Sequence, residues 1–133
     1  MAPHVFVEAI SLTAIAQAKH LYQTDPGATG SLRQRLARHH KDVDNAFWQW
    51  NDVWLSEAFQ AFDIRTELRG LAAHLLLVQG VDDEYGSLEQ LAAIRREVPQ
   101  AIHIELQSCG HTPHRDHPDQ LLAGVRAFLG SIA

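Results

Sequence analysis

Hydrophobic and polar positions alternate on two different periods along this chain, and the change of period divides it. In the first part, Leu12, Ile15, Ala18 and Tyr22 recur at helical spacing after Ser11, a residue suited to cap a helix. Asp25-Pro26-Gly27 ends that helix, because proline restricts φ and glycine accepts positive φ. Gly30-Ser31 opens a second, basic helix through about His39. A third starts near Asp44, with Phe47, Trp50, Asn51 and Trp54 on one face. Ahead of these, His4 to Val7 reads as the end of a strand or an extended segment.

From residue 71 the pattern is different. Leu75-Leu76-Leu77-Val78 is an uninterrupted apolar run that suits a strand buried on both faces. Ser87-Leu88-Glu89-Gln90 has the form of a capping box, and Leu88, Leu91, Ile94 and Val98 continue it as a helical stripe. Ile102, Ile104 and Leu106 alternate with His103, Glu105 and Gln107, a period of two that predicts a strand with one wetter face. Pro118 begins a last helix carried by Leu121, Leu122, Val125, Phe128 and Leu129. The expectation is an α/β fold in two parts: a helical region over residues 1–70, and a β-α-β-α region over 71–133 with parallel strands.

Composition narrows the possible functions. The 133 residues are 46% hydrophobic and 20% charged, enough apolar surface for a packed core. A net charge of -5 leaves no basic patch for nucleic acid or an anionic membrane surface. A single cysteine cannot form an internal disulfide. The N-terminal residues have neither a basic start nor a long apolar stretch, so a cytoplasmic protein without a membrane span is expected.

Candidate chemistry sits on the loops after the two expected strands. Gly80-Val81-Asp82-Asp83-Glu84-Tyr85-Gly86 follows the first, and Cys109-Gly110-His111-Thr112-Pro113-His114 follows the second. Functional groups collect at the carboxyl ends of parallel strands, so the two loops can bring a carboxylate to an imidazole. An aspartate bonded to one ring nitrogen sets the tautomer and leaves the other nitrogen to take a proton. Asp83 stands three residues past Gly80 and is preferred as the acid, with Asp82 and Glu84 as runners-up; His111 is the base.

These motifs, in this order, resemble the last two strands and helices of the α/β-hydrolase fold family. Residues 2–8 resemble the segment that follows that family's sixth strand, and residues 48–54 resemble its helical cap. The resemblance covers nearly the whole chain and implies an ester hydrolase in which Asp83 and His111 are catalytic. It also implies that the chain is a truncated member, since no G-x-S-x-G nucleophile turn is present. Ser11 and Ser87 are better explained as helix caps, and Cys109 as a small buried apolar residue. Water or an unidentified serine is then the nucleophile, with a small activated ester as substrate. The competing expectation is a non-catalytic module for self-association or subunit binding.

Three further features weigh less. Trp48 falls off the Phe47/Trp50/Trp54 face and is a candidate substrate-binding or interface residue. His111, His114 and His117, with Asp116 and Asp119, do not match a metal-binding spacing, so no metal or other cofactor is expected; in the resemblance, His114 and Asp116 shape the loop behind His111. A sheet lacking its other strands leaves an edge and an apolar face uncovered, which predicts a homo-oligomer.

Overall fold

A computed structural model describes residues 3–133; Ala2, with which the cap-leading segment begins, lies outside them. In chain order the described elements are α1 (Leu12–Gln23), α2 (Leu32–Ala37), α3 (Val43–Leu55), β1 (Leu76–Gly80), α4 (Glu89–Glu97), β2 (Ile102–Leu106), α5 (Pro113–Asp116) and α6 (Pro118–Ser131). Two 3-10 turns, Glu57–Ala61 and Thr66–Leu68, lie between α3 and β1. The chain forms two compact units: one takes Leu12–Ala61, the other takes the N-terminal segment through Ser11 together with Phe62–Ala133. The unit boundaries fall at residues 11 and 62.

The helical unit is held by capped termini and one aromatic cluster. Ser31 Oγ accepts the Gln34 N–H at 3.3 Å and Asp42 Oδ1 accepts the Asn45 N–H at 3.0 Å, which starts α2 and α3. The rings of Tyr22 and Phe47 stack with centroids 3.7 Å apart, and Val43 completes the buried cluster. The Tyr22 hydroxyl donates to Asp44 at 2.7 Å, and Arg33 holds the same carboxylate with two bonds of 2.8 and 2.6 Å. Burial, then the bond to Asp44, pushes the Tyr22 phenol up to about 12. Arg33 thus belongs to a staple between α2 and α3.

The second unit is built on a two-stranded parallel sheet. Leu76 pairs with Ile102 and Gly80 with Leu106, and α4 is the crossover between the strands. Leu77, Leu91, Ala93, Ile94 and Val98 form the core with Val5 and Phe6 of the N-terminal segment. That segment is no strand. It makes two isolated antiparallel bridges, Phe6 with Asp63 and Ile10 with Gly86, with the Val7 N–H donating to Phe62 O and the Ile64 N–H to Val5 O.

Two local expectations are overturned. The capping box does not form: α4 begins at Glu89 with no side-chain cap. Gln90 is fully buried instead, its Oε1 accepting the Val5 N–H at 2.7 Å and its Nε2 donating to Phe6 O at 2.8 Å. Two buried backbone groups would otherwise lack partners, at about 1–3 kcal/mol each, and that outweighs a cap. The dry face expected for β2 is dry only at Leu106, since Ile102 is 44% exposed. The reason is α6, in which no residue is fully buried; it meets the sheet where Gly124 lies against the Ile104 side chain.

Candidate functional site

The loops after β1 and β2 are joined before any side chain is considered. The Val81 N–H donates to Leu106 O and the Asp82 N–H to Cys109 O, each at 2.9 Å. This crossing depends on Gly80, because a β-carbon there would overlap the carbonyl oxygens of Cys109 and Gly110. Beyond β2 the chain turns through Ser108, whose φ of 52° lies in the left-handed region. His117 Nε2 donates to Ser108 O at 3.0 Å, and Asp116 accepts the Gly110 N–H at 3.0 Å. Asp116 and His117 therefore shape the histidine loop, and His114 is exposed beside them. The short α5 that presents Asp116 has no signal in the hydrophobic pattern.

Asp83 and His111 meet at the top of the sheet. His111 Nδ1 lies 2.9 Å from Asp83 Oδ1 and 3.1 Å from Oδ2. The aspartate side chain is fully buried, whereas the imidazole keeps 23% of its surface exposed. Asp83 Oδ1 also accepts the N–H groups of Tyr85 at 2.9 Å and Gly86 at 3.3 Å. Burial raises the pKa of this carboxyl, but the bonds from His111, Tyr85 and Gly86 together outweigh it and hold the group below its ordinary value. The carboxylate thus stays charged and accepts from Nδ1–H, so that in the one-proton tautomer Nε2 is left as an acceptor. Of the two runners-up, Glu84 holds the loop, accepting the His111 backbone N–H at 3.2 Å, and Asp82 contributes its own N–H.

Three further residues at this site carry no role in the sequence reading. His4 stacks on His111 with ring centroids 5.8 Å apart and planes 13° from parallel. Tyr85 meets the same imidazole edge-on at 5.0 Å. Gln79, fully buried, donates to Gly86 O at 2.6 Å and holds the turn that carries Asp83. A β-carbon on Gly86 would come within 2.5 Å of the His4 ring, so Gly86 is what admits His4.

Burial first, and then the charge of His111, push the His4 pKa down, with Asp83 pulling the other way. Folded His4 therefore resists protonation that the unfolded chain accepts below about pH 6.5. The unfolded state then binds more protons, so stability from this group is complete above that value and declines as pH falls through it. Thermal unfolding at about pH 7.5 and about pH 5.5 should show a drop in Tm on acidification. His4→Gln should flatten that dependence; an unchanged slope would remove His4 as its source.

No hydroxyl or thiol is bonded to His111 among the described residues. Ser87 donates its backbone N–H to Ala9 O, and Ser11 donates its own to Tyr85 O. Both serines line an open depression of about 270 Å³ with Glu8, Asp83 and Glu84. The Cys109 thiol is fully buried, and burial followed by Asp116 pushes its pKa up, the opposite of an activated thiol. Trp48 lies in the helical unit, edge-on to Tyr22 and Phe47, with Lys19 Nζ 5.5 Å from its ring centroid. Among the described residues no helix is long and apolar enough to cross a membrane.

No family model matches this sequence. Solved structures do resemble it. An esterase from Rhodococcus sp. ECU1013 superposes with a TM-score of 0.52 at 19% identity, over 92% of this chain and 42% of the esterase. A membrane phospholipase A described as a bacterial virulence factor gives a TM-score of 0.60 at 19% identity, over 93% of this chain and 39% of that one. The chain thus spans about two fifths of the length of either structure. At this level of identity the likeness concerns architecture, and it matches the observed order of helices followed by parallel strand, helix, strand and helix. The chain has an α/β-hydrolase-like fold.

Proposed function

We propose that this chain hydrolyses small activated carboxyl esters weakly, with His111 as general base and Asp83 as its orienting carboxylate. The observation that carries the reading is the buried Asp83 carboxylate bonded to His111 Nδ1 while the imidazole remains part-exposed. In that arrangement Nε2 takes a proton from a water or hydroxyl as it attacks the ester carbonyl, and Asp83 stabilises the imidazolium that forms. The resulting tetrahedral adduct then expels the alkoxide or phenoxide, which the imidazolium protonates; attack by water gives the acid directly, and attack by a hydroxyl leaves an acyl ester that a water, deprotonated by the same Nε2, then cleaves. The esterase and phospholipase likenesses support an ester as the substrate class. With no hydroxyl on Nε2 among the described residues, the nucleophile is water, or a serine supplied from elsewhere. Missing oxyanion donors cost about 10²–10³ in rate each, hence a weak activity.

The test is p-nitrophenyl acetate hydrolysis by the chain beside His111→Ala, with free imidazole at the concentration of the chain's histidines as background. Turnover above background that falls to it in the variant supports the reading. Equal rates would end it. In that event the competing reading, a non-catalytic binding module, gains: α6 has no fully buried residue, and its Leu122 and Leu129 are both more than half exposed.

A further inference from the structure

We infer that the free edge of β2 is a self-recognition surface, through which two copies of this chain pair about a two-fold axis at Ile104. Among the described residues β2 is paired with β1 alone. The Ile102 N–H donates to Leu75 O and Leu106 O accepts the Val81 N–H, so the even-numbered backbone groups of β2 face β1. Residues of a strand alternate, so the N–H and C=O groups of His103 and Glu105 point outward. An edge of this kind is a template for another strand.

The side chains specify which strand. In an antiparallel pair centred on Ile104, His103 of one copy stands opposite Glu105 of the other, twice. These are also the two positions whose outward backbone groups would form hydrogen-bonded pairs, four bonds in all. Backbone register and side-chain donor–acceptor register coincide, the self-complementarity that a two-fold interface requires. His103 Nε2 accepts from Arg95 Nη1 at 3.3 Å within its own chain, and Glu105 Oε1 lies 3.8 Å from the same nitrogen. The His103 Nδ1–H is then available to donate to Glu105 across the axis. On the other sheet face Ile102, 44% exposed, would lie opposite Leu106 of the second copy and lose water contact. One five-residue strand thus offers backbone, polar side-chain and apolar complementarity to itself and to no arbitrary partner.

Sedimentation velocity of the full chain over a wide concentration range should show a monomer–dimer equilibrium. Glu105→Lys sets lysine against His103 and Arg95, and should raise the dimer Kd about tenfold. His103→Glu sets carboxylate against carboxylate and should act similarly. The double variant carrying both changes restores opposite charges only in this register and should recover the dimer. Amide hydrogen exchange supplies a readout without variants: the His103 and Glu105 amides should lose protection on dilution, while that of Ile104, directed at β1, should not. A monomer at every concentration overturns the proposal. So does a dimer indifferent to both single changes, or one whose double variant stays apart.

Discussion

Asp83→Asn should reduce ester turnover to the imidazole background while the chain remains folded. The asparagine oxygen still accepts the N–H groups of Tyr85 and Gly86 that now reach Asp83 Oδ1. Its amide N–H₂ then faces His111 Nδ1, where the carboxylate had accepted a bond of 2.9–3.1 Å. Two donors cannot share that space, so the imidazole shifts its proton to Nε2 and loses the acceptor that general-base catalysis uses. A correctly placed base contributes about 10²–10⁴ in rate, which is the loss expected. Replacing a charge-assisted bond by a neutral one also costs roughly 1–3 kcal/mol of stability, readable as a lower urea midpoint. An Asp83→Asn protein that folds and retains full turnover would dismiss the pair as a catalytic unit.

Gly80→Ala should be the most destabilising single methyl in the chain. The added carbon would overlap two backbone carbonyls, those of Cys109 and Gly110, and backbone cannot rotate aside as a long side chain can. Overpacking of this kind costs about 1–3 kcal/mol, with the upper end expected here because the same crossing carries the Asp82 N–H bond to Cys109 O. The matched control is Gly130→Ala in α6, where nothing lies within 4 Å of the new carbon. That change should be neutral or stabilising by up to about 1 kcal/mol, since alanine favours helix. Chemical denaturation of the two variants side by side makes the comparison. A Gly80→Ala midpoint equal to that of Gly130→Ala would show that the loops do not cross where the structure puts them.

Several features were legible in the residues because their causes are local. The helix start at Ser31 follows from a side chain that caps the N–H three residues on, while α3, expected from near Asp44, is capped two residues earlier by Asp42. The parallel strands follow from a continuous apolar run and a period-two run joined by a helical stripe. The acid and histidine loops were recognisable because chain order and strand polarity together dictate which ends of the sheet they occupy.

Other features were not, and each depends on something distant in the chain. Gln90 has the right spacing to cap α4, yet it is drawn 85 residues back to Val5, whose buried N–H needs an acceptor. His4 reaches His111 only because the N-terminal segment folds against the sheet and Gly86 leaves room. The apolar stripe of α6 announces a helix and says nothing of what covers it, since periodicity encodes a wish for burial and not a partner. Local pattern is enough for the longer elements, their order and the two residues that could form an acid–base pair. It took the folded chain to bury and bond Asp83 while His111 stays open, to bring His117 and Glu84 in beside Asp116 around the histidine loop, and to turn the His103 and Glu105 backbone groups of β2 away from β1. Those outcomes depend on which backbone groups are left to be satisfied once the chain has closed on itself, a quantity no local pattern contains.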